Sequence, residues 1–177
     1  MMTEQPSVTD IVRNVVGEVE KEYGKHVNFL WGDWTYIANQ LTMMSATPQI
    51  AEEKYPVFCL FLPFNEDKRD YRYESNTNVD LLIATTTLSR YTNEEREQKS
   101  FKAVLRPLYA LFIKHLKKYP LLDFERNHVP HTYSENYGYG ARGVLMSEGK
   151  KFNDLIDGID IKNLNLKIKK LKCYGRL

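Results

Sequence analysis

Hydrophobic and polar positions alternate most clearly near the C-terminal end, where Ile159 and Ile161 are followed by Leu164, Leu166 and Ile168. Period-2 alternation predicts a strand with one face in a core and one in water. The phase slips by one residue at Lys162-Asn163, which predicts a β-bulge. At the other end the period changes to helical. Val8, Ile11, Val12, Val15, Val16, Val19 and Tyr23 form one apolar stripe, opened by Ser7 with Asp10 three residues on and closed by Gly24. These are the marks of a capped amphipathic helix. Asp33 is placed to cap a shorter helix carrying Trp34, Ile37, Leu41 and Met44 on one side. Trp31 and Trp34 read as core and corner packing. Residues 45–55, with Pro48 and Glu52-Glu53-Lys54, read as a loop.

Val57 to Leu62 is a continuous apolar run between Pro56 and Pro63, the pattern of a strand covered on both faces. Val79 to Leu88 is a second strand, rich in β-branched residues. A long helix follows, with Asn93 as its expected N-cap and Phe101, Val104, Leu105, Leu108, Phe112 and Leu116 on its apolar face. Pro107 lies inside it, which predicts a kink near Ala103–Pro107. Between these elements lie two polar stretches, 65–78 and 123–151. They read as extended arms, the second with a short strand at Val144-Leu-Met146. The order of elements predicts one α+β domain over residues 1–177. Its mainly antiparallel sheet of about four strands packs against the N-terminal helix and the long kinked helix.

Composition changes this picture little: 42% hydrophobic and 27% charged residues are ordinary for a globular chain. The N-terminus lacks a basic start and an apolar run, so no signal peptide is expected. The run Pro56–Phe64 is far shorter than the roughly 20 residues that span a bilayer. Cys59 sits inside that run and reads as a reduced core thiol, which suits synthesis in the cytoplasm. Charge is less even. Residues 1–100 carry ten basic and sixteen acidic side chains, and residues 101–177 carry fifteen and seven.

Three patterns invite a chemical reading. Gly138-Tyr-Gly140-Ala-Arg-Gly143 matches GxGxxG, but a dinucleotide site needs an apolar strand before it and a helix after it, and neither is there. His128 and His131, with Glu135 nearby, offer possible metal ligands, but Pro130 prevents a helical pair and zinc needs at least three protein ligands. Asp154, Asp157 and Asp160 lack the spacing of a calcium loop. No nucleophile elbow and no Walker lysine are present. No catalytic residue, cofactor or metal is therefore expected. The basic C-terminus (Lys162, Lys167, Lys169, Lys170, Lys172 and Arg176) leaves open a nucleic-acid-binding accessory protein, an edge-strand guard and a subunit surface.

Three stretches resemble the tail-completion and tail-terminator proteins of the neck of tailed phages and prophages. They are Pro56–Pro63, Ser100–Tyr109 and Phe152–Leu166. The last is most similar to versions from phages of Bacteroides-like gut bacteria. The resemblance implies a virion structural protein that acts by assembly and not by catalysis. It would form a homo-oligomeric ring at the head-tail junction or the end of the tail tube, contacting other neck, portal or tube proteins. It implies no membrane, and nucleic acid only as the genome passing through. The arms would then bridge subunits, through Arg69, Tyr71 and Tyr73 in the first and His131, Tyr133, Tyr137, Tyr139 and Arg142 in the second. Lys162, Lys167 and Lys169 on the last strand would join them.

Overall fold

The computed structural model describes residues 6–139 and 154–170. Its helices are α1 (Val8–Tyr23), α2 (Trp34–Ala46), the single turn α3 (Asn93–Arg96) and α4 (Arg106–Lys118). Its strands are β1 (Asn28–Gly32), β2 (Val57–Phe61), β3 (Glu66–Asp67), β4 (Tyr73–Thr86), β5 (Thr132–Tyr139) and β6 (Ile156–Lys169). The sheet runs β1-β2-β4-β6-β5, with β3 paired to β4. β1 is parallel to β2, and every other pair is antiparallel. The fold is α+β and its sheet mainly antiparallel, as expected, but it is mixed and has six strands where about four were expected. β1 and β5 are the additions that matter. β1 is five residues long and β5 reads Thr-Tyr-Ser-Glu-Asn-Tyr-Gly-Tyr, so neither carries an apolar period.

α1 forms as its sequence dictates. Ser7 and Asp10 make a full capping box, Gly24 closes the helix at φ 74°, and the valine stripe is buried. α1 and α4 cover one face of the sheet. There Phe58, Leu60, Val79, Leu81, Ile83, Ile159, Ile161, Leu164, Leu166 and Ile168 pack against Val12, Val15, Leu108 and Phe112. α2, capped by Asp33, covers only one end of the other face, over Val57, Cys59, Leu82, Ala84 and Ile156. Both faces of β2 are thus buried, as its apolar run requires. Burial pushes the Cys59 thiol up to about 12.

The N-cap of the long helix is Thr92, not Asn93; Thr92 and Glu95 form the capping box. The irregularity expected near Pro107 takes the form of a π-helical stretch. The stretch Glu97–Leu105 is π-helical, and the Arg106 N–H reaches the Phe101 carbonyl five residues back. Pro107 then falls in the first turn of α4, where its missing N–H is harmless. The bulge in β6 is present. Register with β4 shifts between Val79 and Leu81, Asn163 takes φ 53°, and its N–H donates to Asp80 at 2.8 Å. β6 begins at Ile156, three residues before its alternating pattern starts.

The 65–78 arm is a hairpin built into the sheet. Glu66 and Asp67 face Thr77 and Asn76, and β4 from Tyr73 onward pairs with β6. The 123–151 arm is, as far as residue 139, a short turn followed by strand β5. Val144–Met146 and Arg142 lie outside the described residues. β6 is not an edge strand. β5 flanks it up to Lys162, and beyond that Leu121, Asp123 and Pro130 bond its backbone at Lys169, Lys167 and Asn165.

Candidate interface at the sheet edges

β5 presents Tyr133, Glu135 and Tyr137 toward α4, because alternate residues share a face. Tyr109 meets Tyr133 edge-on at 4.8 Å between ring centres, and Phe101 stacks on Tyr137 at 4.2 Å. Arg106 closes the contact. Its Nε and Nη2 reach both Glu135 oxygens at 2.7 and 2.9 Å, and its Nη1 reaches Glu97 at 2.6 Å. Tyr137 donates its hydroxyl to Glu97 and Tyr133 to Glu135. The Arg106 guanidinium holds both carboxyls below the usual glutamate range. Burial first, and then Glu97, push the Tyr137 hydroxyl up to about 12. The side-chain polar groups of Tyr133, Glu135 and Tyr137 are satisfied within the subunit, and both tyrosines remain 38% exposed.

This clamp predicts a pH response. Glu97 and Glu135 are depressed in the folded state, so their stabilisation is complete above the unfolded glutamate value of about 4.3. It is lost as pH falls below that value through the depressed folded values. Arg106→Met is expected to lower stability at pH 7 by about 1–2 kcal/mol, discounted because Arg106 is partly exposed. It should also flatten the acid limb of the stability profile. Urea unfolding at neutral and acidic pH checks both, and an unchanged acid limb would contradict the clamp.

His131 directs Nδ1 to the Val129 carbonyl and Nε2 to the Tyr109 hydroxyl, at 2.8 and 2.7 Å. A carbonyl only accepts, so Nδ1 carries a proton and donates it to Val129. Glu135 is held by Arg106, and His128 lines a separate cleft of about 450 Å³ with Arg126, Asn165 and Lys167. The fold does not assemble these three into a ligand set. Among the described residues no group of three or more His, Cys, Asp or Glu side chains is placed to hold a metal. No helix of the described residues is long and apolar enough to cross a membrane. Gly138 serves the strand geometry. At φ 66° its N–H donates to the buried Asp157, and a Cβ would lie 2.5 Å from Arg96.

The remaining sequence candidates scatter. Arg69 is held by Asp67 at the hairpin tip, where Tyr71 is 83% exposed. Tyr73 donates to Asp123, and Lys167 pairs with Glu125 at 2.9 Å. Lys162 is exposed on the α2 side of the sheet opposite Thr132, and Lys169 bonds the Pro120 carbonyl. Tyr139 ends β5, paired with Ile156. Part of the sequence's charge imbalance is neutralised inside the fold. Lys114 and His115 of α4 pair with Glu22 of α1, as Arg106 does with Glu97 and Glu135.

At the opposite end of the sheet lies a surface the sequence did not single out. Phe29 and Trp31 of β1 stack at 5.8 Å, with the Arg13 guanidinium 4.5 Å from the Trp31 ring. Tyr36 covers Gly32, leaving no room for a Cβ there. Trp31, Tyr36, Met43 and Ile50 are 41%, 52%, 63% and 37% exposed. α2 carries no charged residue over its whole length. The uncharged run Trp34–Thr47 was the usable sequence signal for this end of the sheet.

No family model, curated protein or solved structure matches this chain.

Proposed function

We propose that the protein is a non-catalytic subunit of a ring in a phage virion, at the head-tail junction or the end of the tail tube. The reading rests on the resemblance of Pro56–Pro63, Ser100–Tyr109 and Phe152–Leu166 to tail-terminator proteins. One structural observation supports it: the apolar, uncharged end formed by β1 and α2. Apolar patches rimmed by polar residues mark protein–protein contacts. Aromatic residues and Met, at the expense of Glu and Lys, are the composition of interface centres. Its partners would be further copies of itself and neighbouring neck, portal or tube proteins.

Sedimentation velocity and electron microscopy of the purified protein test the proposal. An annular species that grows in with concentration, or on adding tail-tube or portal protein, is the expected result. A monomer under every one of these conditions overturns it. Salt-sensitive binding to DNA by that monomer would favour the nucleic-acid-binding reading instead.

A further inference from the structure

The two ends of the sheet are complementary to each other. β1 bonds to β2 through every second residue: the Asn28 N–H donates to the Pro56 carbonyl, and the Gly32 carbonyl accepts from Leu62. The N–H and C=O groups of Phe29 and Trp31 therefore point away from the sheet. Among the described residues no strand pairs beyond β1 or beyond β5. Strand direction also matches. β1 and β2 run one way, β4 the other, β6 back, and β5 opposite to β1. A second copy laid beside the first in the same orientation thus brings its β5 against β1 as an antiparallel strand, the pairing that is slightly the more stable.

The side chains agree with this placement. Phe29 and Trp31 lie on the face covered by α1 and α4, as do Tyr133 and Tyr137. Joining the edges sets the two aromatic rows side by side. On the opposite face the first part of β5 carries the short side chains of Thr132, Ser134 and Asn136. These leave space for the neighbour's α2, which carries the exposed Met43.

We infer that the β1–α2 end of one subunit receives the β5 edge of a second copy, extending the sheet head to tail from subunit to subunit. This rests on the ring reading above. Head-to-tail contacts close into a ring when the rotation per subunit divides a full turn. Lysine on an edge strand blocks strand addition, which makes the joint testable from each side.

Trp31→Lys blocks the receiving end, and Ser134→Lys blocks the inserted strand. Met43→Lys serves as a second receiving-end variant because it leaves β1 intact. Each variant alone is expected to lose the ring and sediment as a monomer, with the circular dichroism of the parent. Mixing Trp31→Lys with Ser134→Lys leaves one intact joint per pair, so a 1:1 dimer and nothing larger is expected. If the parent protein forms rings but these variants form them too, the joint lies elsewhere and the ring reading survives. Loss of the ring with Trp31→Lys and Met43→Lys but not Ser134→Lys, or two monomeric variants that fail to pair on mixing, also overturns the joint. A parent protein that never assembles refutes the ring itself.

Discussion

Replacing Lys54 by alanine is expected to lower the unfolding free energy by about 3 kcal/mol, within the range for breaking a buried ion pair. Lys54 is 4% exposed, although it lies in a stretch that reads as loop. Its ammonium pairs with Asp154 just before β6, bonds Ser45 Oγ near the end of α2, and sits 5.4 Å from the Tyr55 ring. Tyr55 donates to the same carboxylate at 2.8 Å. Removing the lysine leaves that carboxylate without its cation beside an apolar cluster. Asp154 is one-quarter exposed, which keeps the loss below the upper end of the range. The double variant Lys54→Met with Asp154→Leu should recover much of the loss, because neither charge is then stranded. Urea unfolding of the two single variants and the double decides this. A Lys54→Ala variant as stable as the parent would show that the pair contributes nothing.

Phe112→Ala should weaken the protein by about 4 kcal/mol, and the apparent melting temperature should fall by roughly 10 °C. Phe112 projects from α4 onto Phe58 of β2, with ring centres 5.2 Å apart and both side chains fully buried. Leu108 and Leu116, one helical turn to either side, are also buried. Close-packed neighbours fill such a void only in part, so the loss exceeds the transfer energy of the ring. Phe112→Leu conserves more volume and should cost under about 1.5 kcal/mol. Calorimetry of the two variants tests the ordering; equal losses would mean that the α4–β2 contact collapses around either residue. Neither position lies at the proposed joint, so assembly by variants that remain folded should be unaffected.

The interior was legible wherever one residue period dominated. The valine stripe of α1 lies on the core with its Ser7–Asp10 box in place, β2 is buried on both sides, and the slip at Lys162-Asn163 is the bulge it suggested. Reading failed where a segment is held by partners distant in sequence. β5 has no apolar period because its buried contacts are Tyr rings on Phe101 and Tyr109, and its charges meet on Arg106. β1 is a strand because β2 lies beside it. Pro107 signalled an irregularity in the helix, and the structure shows it as the π-helical stretch Glu97–Leu105.

Interface candidates followed the same division. Tyr133 and Tyr137 were recognisable as unusual, and their half-exposed rings now flank a sheet edge. Trp31, Tyr36, Met43 and Ile50 were not recognisable as exposed, because the exposure of an apolar side chain depends on what packs beside it. The helices, the central strands and the buried apolar set follow from local period, capping and turn chemistry, all of which are written in the chain. Tertiary structure alone decided the strand order, the two unpaired edges and the partners of Lys54 and Arg106. These depend on pairs that span up to about a hundred residues, on which local patterning has no hold.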